Sequence, residues 1–305
     1  MMKAEPYKIS FITVNYNGLA DTISLLESIR NARLSFAYEV IVIDNGSLKD
    51  EYSLMKHQFP DIKGYYNRMN LGFAGGNNLG LEIATGEFIY FLNNDTLLPN
   101  DADNEILAML EVFALDSRVG GISPKIMYYK PKGMIQFAGC TTLTSITLRN
   151  KQIGYREQDR GQYNNCAEIP YLHGAAMLVP NRIIKEIGVM SELFFLYYEE
   201  LDWSCRINKK YKLVYFADAH IFHKESASTG QDSPLKIFYL TRNRLLFAYR
   251  NRSGINRILA VFYLIAIANS IRLIKFVFSG MWKHVGAVWS GTWSGIKLFS
   301  KKNLS

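Results

Sequence analysis

Glu39-Val40-Ile41-Val42-Ile43-Asp44-Asn45-Gly46-Ser47 is the stretch from which the fold is read. Residues 40–43 are β-branched without a polar break. A strand with one wet face alternates, so this strand is buried on both faces, as in a parallel sheet covered by helices. Working outward, strands are expected at 8–14, 64–66 and 87–92. Helices are expected between and beyond them. Residues 21–32 carry Ile23, Leu26 and Ile29, with Leu25, toward a core, and helices follow at 52–59, 77–84 (closed by Gly86) and 102–115. This alternation predicts an α/β domain with a mostly parallel central sheet. Residues 120–170 hold short β-like pieces among Gly, Pro, Lys and Asn, which predicts irregular structure with a hairpin or two. Beyond them a strand is expected at 171–179, a helix from Pro180 to near Gly188, a helix at 199–208 and a strand at 212–216. Everything from Leu235 onward reads helical.

The 305 residues suffice for one large domain and an appendage, and 49% hydrophobic with 20% charged residues fits a folded globular chain. The first apolar run, 9–14, is too short for a signal peptide core. Cys140, Cys166 and Cys205 fit no metal spacing and read as reduced structural thiols, so a cytoplasmic protein is expected. The net charge of +8 is unevenly placed. Residues 233–305 hold 12 Lys and Arg and no acid, whereas the first 232 carry 23 basic and 27 acidic side chains. In that tail, 258–271 is an apolar run of 14 residues interrupted only by Asn269 and Ser270. It is short of the roughly 20 residues that cross a bilayer. Trp282, Trp289 and Trp293 follow at helical spacing. Aromatics with bases and no acids describe an amphipathic helix on the anionic inner face of the cytoplasmic membrane, and not a nucleic-acid patch. The competing expectation packs these helices on the α/β domain or on a second copy, with the tryptophans inside. Two domains are expected. Residues 1–232 form the α/β domain, in two parts, 1–125 and 126–232. Residues 233–305 form the basic helical tail.

Open α/β sheets bind ligands at the carboxyl ends of their strands. Here those ends are Thr13-Val14-Asn15-Tyr16-Asn17-Gly18, Asp44-Asn45-Gly46-Ser47 and Asn93-Asn94-Asp95-Thr96. Turn chemistry explains any one of them; three on one edge point to a polar ligand. Residues 70–80, NLGFAGGNNLG, place Gly72, Gly75 and Gly76 within five positions. Such a segment lets backbone approach a ligand and offers helix N–H groups to a phosphate. It is neither G-x-G-x-x-G nor a P-loop. Tyr198-Glu199-Glu200-Leu201-Asp202-Trp203 holds three carboxylates in four residues. Asp202 has Arg206 four residues on, which explains it as a salt-bridged helix start. Glu200, among Phe194, Phe195, Tyr197, Tyr198 and Trp203, has an apolar setting that raises a carboxyl pKa toward base duty. Asp95 and an imidazole, with diphosphate oxygens, would suit Mg²⁺ or Mn²⁺; His220 and His223 follow the 212–216 strand.

These motifs resemble the family 2 glycosyltransferases of the GT-A fold, in particular the rhamnosyltransferase-like and galactofuranosyltransferase-like branch. The resemblance spans residues 9–249 and rests on VNYNG, VIVIDNGS, NLGFAGGNN, FLNNDT, HGAAMLV, FFLYYEELDWSCR, HKESAST and TRNRLLF, in the family's order and spacing. It implies an inverting enzyme that moves rhamnose, galactofuranose or a hexose from a dTDP- or UDP-linked donor to a glycan or lipid-linked glycan of a surface polysaccharide. Thr13 and Asp44 would contact base and ribose. Asn15, Asn45, Gly72, Phe73, Gly76, Asn78 and Asn94 would line the nucleotide site, and Arg242 would steady the diphosphate. Asp95 would be the last acid of a D-x-D metal motif whose first position is here Asn93, and His223 would complete the metal shell. Glu200 would be the base, with Glu199 and Asp202 in support and His173, Gly174 and Trp203 on the acceptor side. A sugar-nucleotide pyrophosphorylase is the alternative enzyme, but it wants a glycine-rich, arginine-bearing loop after the first strand, and 15–20 (NYNGLA) is no such loop. A non-catalytic nucleotide-sugar-binding subunit is the alternative without chemistry.

Overall fold

A computed structural model describes residues 8–225 and 233–299; Ser226 to Thr229 of the HKESAST motif lie outside the described residues. The first half is built from β1 (Ile9–Asn15), α1 (Leu19–Asn31), β2 (Tyr38–Asn45), α2 (Glu51–Gln58), β3 (Lys63–Asn67), α3 (Gly72–Ile83), β4 (Phe88–Leu92), β5 (Thr96–Leu97) and α4 (Ala102–Leu115). The second half has β6 (Val119–Tyr128), β7 (Met134–Phe137), β8 (Glu157–Gln158), β9 (Ala167–Ile169), β10 (Ala176–Pro180), α5 (Asn181–Ile187), α6 (Glu199–Ile207) and β11 (Lys212–His223). The strands form one mixed sheet with the central order β3-β2-β1-β4-β10-β6-β11-β5. β3, β2, β1 and β4 are parallel, in register Thr13 to Val42, Asn15 to Asp44 and Phe11 to Tyr90. β10 runs antiparallel to β4 and β6. The β-branched run of β2 is fully buried, with Ile41, Val42 and Ile43 all at 0% exposure. Helices cover both sheet faces, the arrangement that an unbroken apolar strand demands.

Several expected boundaries move: β10 starts only at Ala176, and β11 runs on to His223, so His220 and His223 lie within the strand they were expected to follow. α3 begins at Gly72, five residues early, because the glycines belong to the helix. An added Cβ on Gly76 would lie 2.6 Å from Val14 Cγ1, and on Gly80 2.5 Å from Ile12 Cγ2. They therefore serve close packing of α3 on β1, not close approach to a ligand. In the stretch expected to be irregular, β6 is a ten-residue strand buried throughout. Its Gly120, Gly121 and Pro124 read as breakers, yet Tyr211 and Leu172 fill the space beside the glycines, and Pro124 sits where the β11 register shifts.

α7 (Pro234–Asn251) starts with Ser233 accepting from Lys236 N–H and with Pro234 in its first turn. Its Leu245, Leu246, Phe247 and Ala248 are at 0% exposure in the same core as the sheet, so a buried helix lies just beyond position 232. After it come α8 (Gly254–Phe262), a π-helical turn (Tyr263–Asn269), α9 (Ser270–Phe278) and α10 (Trp282–Leu298). α8 to α9 is one continuous helix, Gly254–Phe278, of 25 residues with an 18-residue window of mean hydropathy 1.8, long and apolar enough by length and composition to cross a membrane. The 14-residue run thus understated the element: Arg257, Arg272 and Lys275 lie within the helix and do not end it. Trp282, Trp289 and Trp293 are 67%, 65% and 59% exposed, so they do not pack inside this chain's own core.

Candidate active site

The polar strand ends meet at one sheet edge, where they brace the backbone. Asn15 Nδ2 donates to Glu51 Oε2 at 2.7 Å, and its Oδ1 accepts from Thr22 Oγ1 at 2.8 Å. Asp44 is completely buried. Its carboxylate accepts from Ser47 Oγ (2.5 Å) and from the N–H groups of Glu51 (2.8 Å) and Tyr52 (3.2 Å), at the α2 N-terminus. Asn45 Nδ2 donates to Gly72 O at 2.9 Å and its Oδ1 accepts from Leu71 N–H at 3.0 Å, so it clamps the glycine-rich segment. Asn78 Nδ2 donates to Met190 O and Glu192 Oε1, and Asn94 Nδ2 to Thr22 Oγ1. Thr13 Oγ1 is buried with no hydrogen-bond partner among the described residues, the kind of orphan that asks for an explanation.

The acidic cluster follows a strained loop. Phe195, Tyr197 and Tyr198 have φ of +65°, +70° and +77°, left-handed backbone that side chains disfavour. Three contacts hold it. Phe73 N–H donates to Phe195 O at 2.6 Å. Gly72, at φ +74°, has room for no side chain, since a Cβ would lie 2.0 Å from that same carbonyl. Asn243, fully buried on α7, donates from Nδ2 to Phe194 O (2.8 Å), Leu196 O (2.7 Å) and Tyr197 O (2.8 Å). Arg242 donates from Nη2 to Leu193 O (2.9 Å) and Phe194 O (2.5 Å) and from Nε to Asn243 Oδ1 (2.8 Å). Its Nη2 and Nε donors thus serve the loop and Asn243.

From that loop α6 carries Glu199 and Glu200 into a cavity of about 420 Å³, which Phe73, Asn93, Gln136, His173 and Gly174 also line. A Cβ on Gly174 would lie 3.7 Å from Glu200 Cγ, so the missing side chain is what leaves Glu200 open on that side. Burial raises the Glu200 pKa above the ordinary value of 4.5. Glu199 is 4% exposed with Oε2 unpartnered among the described residues. Burial first, and then the Glu200 charge, push its pKa well above 4.5. A carboxyl raised on folding stabilises the fold while protonated, below its unfolded value, and that contribution is lost as pH rises through the folded value. Stability is therefore expected to fall with rising pH above about 4.5, and Glu199→Gln to flatten that fall; Tm measured from pH 5 to 8 reads it, and parallel curves for the two proteins would refute it. His173 is neutral, its pKa pushed down to about 3 chiefly by burial, and its Nδ1 accepts from Ala175 N–H at 3.2 Å.

Two expected site residues lie elsewhere. Trp203 is at 0% exposure, donates from Nε1 to Gly188 O at 2.8 Å and meets Phe91 edge-on. Its contact with Phe91 of β4 turns it to the sheet and not to an acceptor. Asp202 is held by Arg250 (Nε to Oδ1, 3.0 Å), Arg206 (3.4 Å) and Asn251 (2.8 Å), a brace between α6 and α7. Cys140 and Cys205 are pushed up to about 11, chiefly by burial, as structural thiols.

Beside the cavity, His223 Nε2 lies 3.0 Å from Asp95 Oδ1, and His223 Nδ1 lies 2.7 Å from Gln136 Oε1. With Gln136 taking the Nδ1 proton, the Nε2 lone pair and a carboxylate oxygen face each other, the donor set that a cation satisfies. The residues therefore fit a divalent ion. No cluster of three His, Cys, Asp or Glu occurs among the described residues, so an ion held by Asp95 and His223 would need water or other oxygens to complete its shell. His220 is separate: its Nδ1 pairs with Glu105 Oε1 at 2.8 Å, which outweighs burial and raises its pKa.

Comparison with known proteins sets the family. The chain is 26% identical over 245 residues to the low-salt glycan biosynthesis hexosyltransferase Agl10 of Haloferax volcanii, covering 78% of this chain and 74% of that protein. It is 23% identical over 245 residues to the N-acetylglucosaminyl-diphospho-decaprenol L-rhamnosyltransferase of Mycobacterium tuberculosis, covering 73% and 80%. Its fold is similar to that of a Pyrobaculum calidifontis mannosyltransferase solved with GDP-Man and Mn²⁺, at a TM-score of 0.55 and 14% identity over 97% of this chain and 85% of that one. Residues 10–188, more than half of the chain, match the family model described as glycosyl transferase family 2, and this protein belongs to that family, on the GT-A fold.

Proposed function

We propose that this glycosyltransferase moves its sugar in one inverting displacement, with Glu200 as general base. Residues 1–232 together with α7 form the catalytic unit. Glu200 takes the proton of an acceptor hydroxyl as that oxygen bonds to the anomeric carbon, and the bond from that carbon to the nucleoside diphosphate breaks on the opposite side. One carboxylate base suffices, because no covalent sugar–enzyme species has to form. The observation that carries this reading is the position of Glu200, beside Gly174 in a cavity whose burial raises its pKa. The fixed tautomer of His173 leaves its Nε2–H free to orient a sugar oxygen. Asp95 and His223 would hold Mg²⁺ or Mn²⁺, which supplies positive charge for the departing diphosphate. The donor is a dTDP- or UDP-linked rhamnose, galactofuranose or hexose. The acceptor is a glycan carried on a lipid diphosphate at the cytoplasmic face, a reading supported by the name of the Mycobacterium relative. The pyrophosphorylase and the non-catalytic subunit find no support in the family match.

A thermal-shift series with dTDP, UDP and GDP, each with and without Mn²⁺, tests donor and metal together. Saturation at about 100 times Kd stabilises by about 2.7 kcal/mol, which is about 4 °C for a chain of this size. The matching diphosphate is expected to give that shift only with Mn²⁺, and Asp95→Ala to abolish the Mn²⁺-dependent component. No shift with any diphosphate would overturn the reading.

A further inference from the structure

The helix Gly254–Phe278 has two unlike faces. Ile255, Ile258, Phe262, Ile267, Ile271 and Ile274 are exposed, and Phe278 at its end is 88% exposed. Their steps are three or four residues except from Phe262 to Ile267, where five residues cross the π-helical turn. The wider winding there keeps the stripe on one side. The other face is tied to the protein. Ala260 and Leu264 join the core, Asn269 Nδ2 donates to Thr292 Oγ1 at 2.9 Å, and Arg272 Nη1 donates to Thr241 Oγ1 at 3.1 Å. α10 is strapped down in turn. A Cβ on Gly291 would lie 2.7 Å from Phe238 O and one on Gly295 3.1 Å from Arg242 O, so the helix rests on the α7 backbone. Trp282, Trp289 and Trp293 point away from that seam and are exposed.

We propose that these helices seat the enzyme on an anionic lipid bilayer, with Gly254–Phe278 lying in the interface plane and not crossing it. Charge selects the occupant. Lys275, Lys283 and Lys297 are exposed on these helices, and residues 233–305 hold no acid to offset them. A second copy packed here by a twofold axis would set Lys275, Lys283 and Lys297 against their own likes. Anionic headgroups meet them with opposite charge. Tryptophans beside lysines, as in Lys297 over the Trp293 ring at 5.4 Å, suit the headgroup boundary. The committed second face explains the orientation: a spanning helix would have to leave Thr241, Thr292 and the core.

The test floats the full chain with vesicles of phosphatidylcholine, with and without phosphatidylglycerol, while tryptophan emission is followed with lipids brominated at different depths. Buried Trp203 supplies a constant background. Binding is expected to be at least about tenfold stronger on the anionic vesicles, with a blue shift and strongest quenching by bromines nearest the headgroups. The variant Ile258→Ser, Phe262→Ser, Trp289→Ser is expected to lose about tenfold or more of the binding, with its nucleoside-diphosphate thermal shift unchanged. Equal binding to both lipid types, or none, would overturn the proposal. Strongest quenching at the midplane would overturn it in favour of a span. A lipid-free dimer whose tryptophan emission is already blue would overturn it in favour of a second copy.

Discussion

Glu200→Gln is expected to lower kcat by about 10²–10⁴-fold, the usual worth of a positioned base, with the donor KM changed little. Glutamine keeps the shape and the backbone of α6 but cannot accept a proton. The change leaves the rest of the cavity lining in place, Phe73 of α3 included, so donor binding should survive. The wild-type rate should carry an acid limb. Burial raises the Glu200 pKa, and Glu199 beside it is raised further, so the pair holds a proton at pH values where an exposed glutamate is already ionised. A base works only when deprotonated, so kcat/KM should fall as pH drops through a value above 4.5. Release of nucleoside diphosphate, measured from pH 4.5 to 8.5, reads both effects. An E200Q protein with kcat within threefold of wild type would remove Glu200 from the role.

The second large effect is expected from Asn243→Asp, at a residue whose only contacts to the site are three backbone carbonyls. The loop before Glu199 holds three left-handed residues at about 1–3 kcal/mol each, a strain that persists only while something over-determines it. Asn243 does so by donating to Phe194 O, Leu196 O and Tyr197 O. Aspartate has the same shape and no donor, so the carbonyls would face an acceptor in a site at 0% exposure. A lost buried partner costs about 1–3 kcal/mol, and the relaxed loop should displace the carboxylates. Turnover is expected to fall about 10²-fold in kcat, the scale of a misplaced catalytic group. The nucleoside-diphosphate thermal shift should hold, because the Asn45 clamp on Gly72 is separate. An unchanged kcat would show that the loop keeps its shape without Asn243.

The sheet was legible because its buried strands are unbroken, as in Val40-Ile41-Val42-Ile43, and because three polar clusters end the parallel strands. Pairing of Asp95 with His223 was within reach, since Asn93-Asn94-Asp95 and the histidines stood out by type. What the polar clusters do was harder to read. Asn15, Asp44 and Asn45 bind neighbouring turns and helix ends, a use that depends on partners distant in sequence. Trp203 was misplaced because composition near Glu200 does not say which way a helix faces. Gln136 was missed because its stretch, thick with Gly and Pro, hid a strand. Asn243 sits between two arginines and looks like solvent-facing helix; a lone amide beside Leu245 and Leu246 was the available signal.

Arg242 touches the carboxylate loop with its side chain and α10 with its carbonyl, where Gly295 lies against it. That has a practical side for anyone purifying this enzyme. Trimming a greasy end to gain solubility is routine, but cutting before α10 would strip the cover from the helix that braces the catalytic loop. The result would be a soluble protein with a slack active site. Polar replacements at the outward tryptophans improve handling while leaving that brace intact.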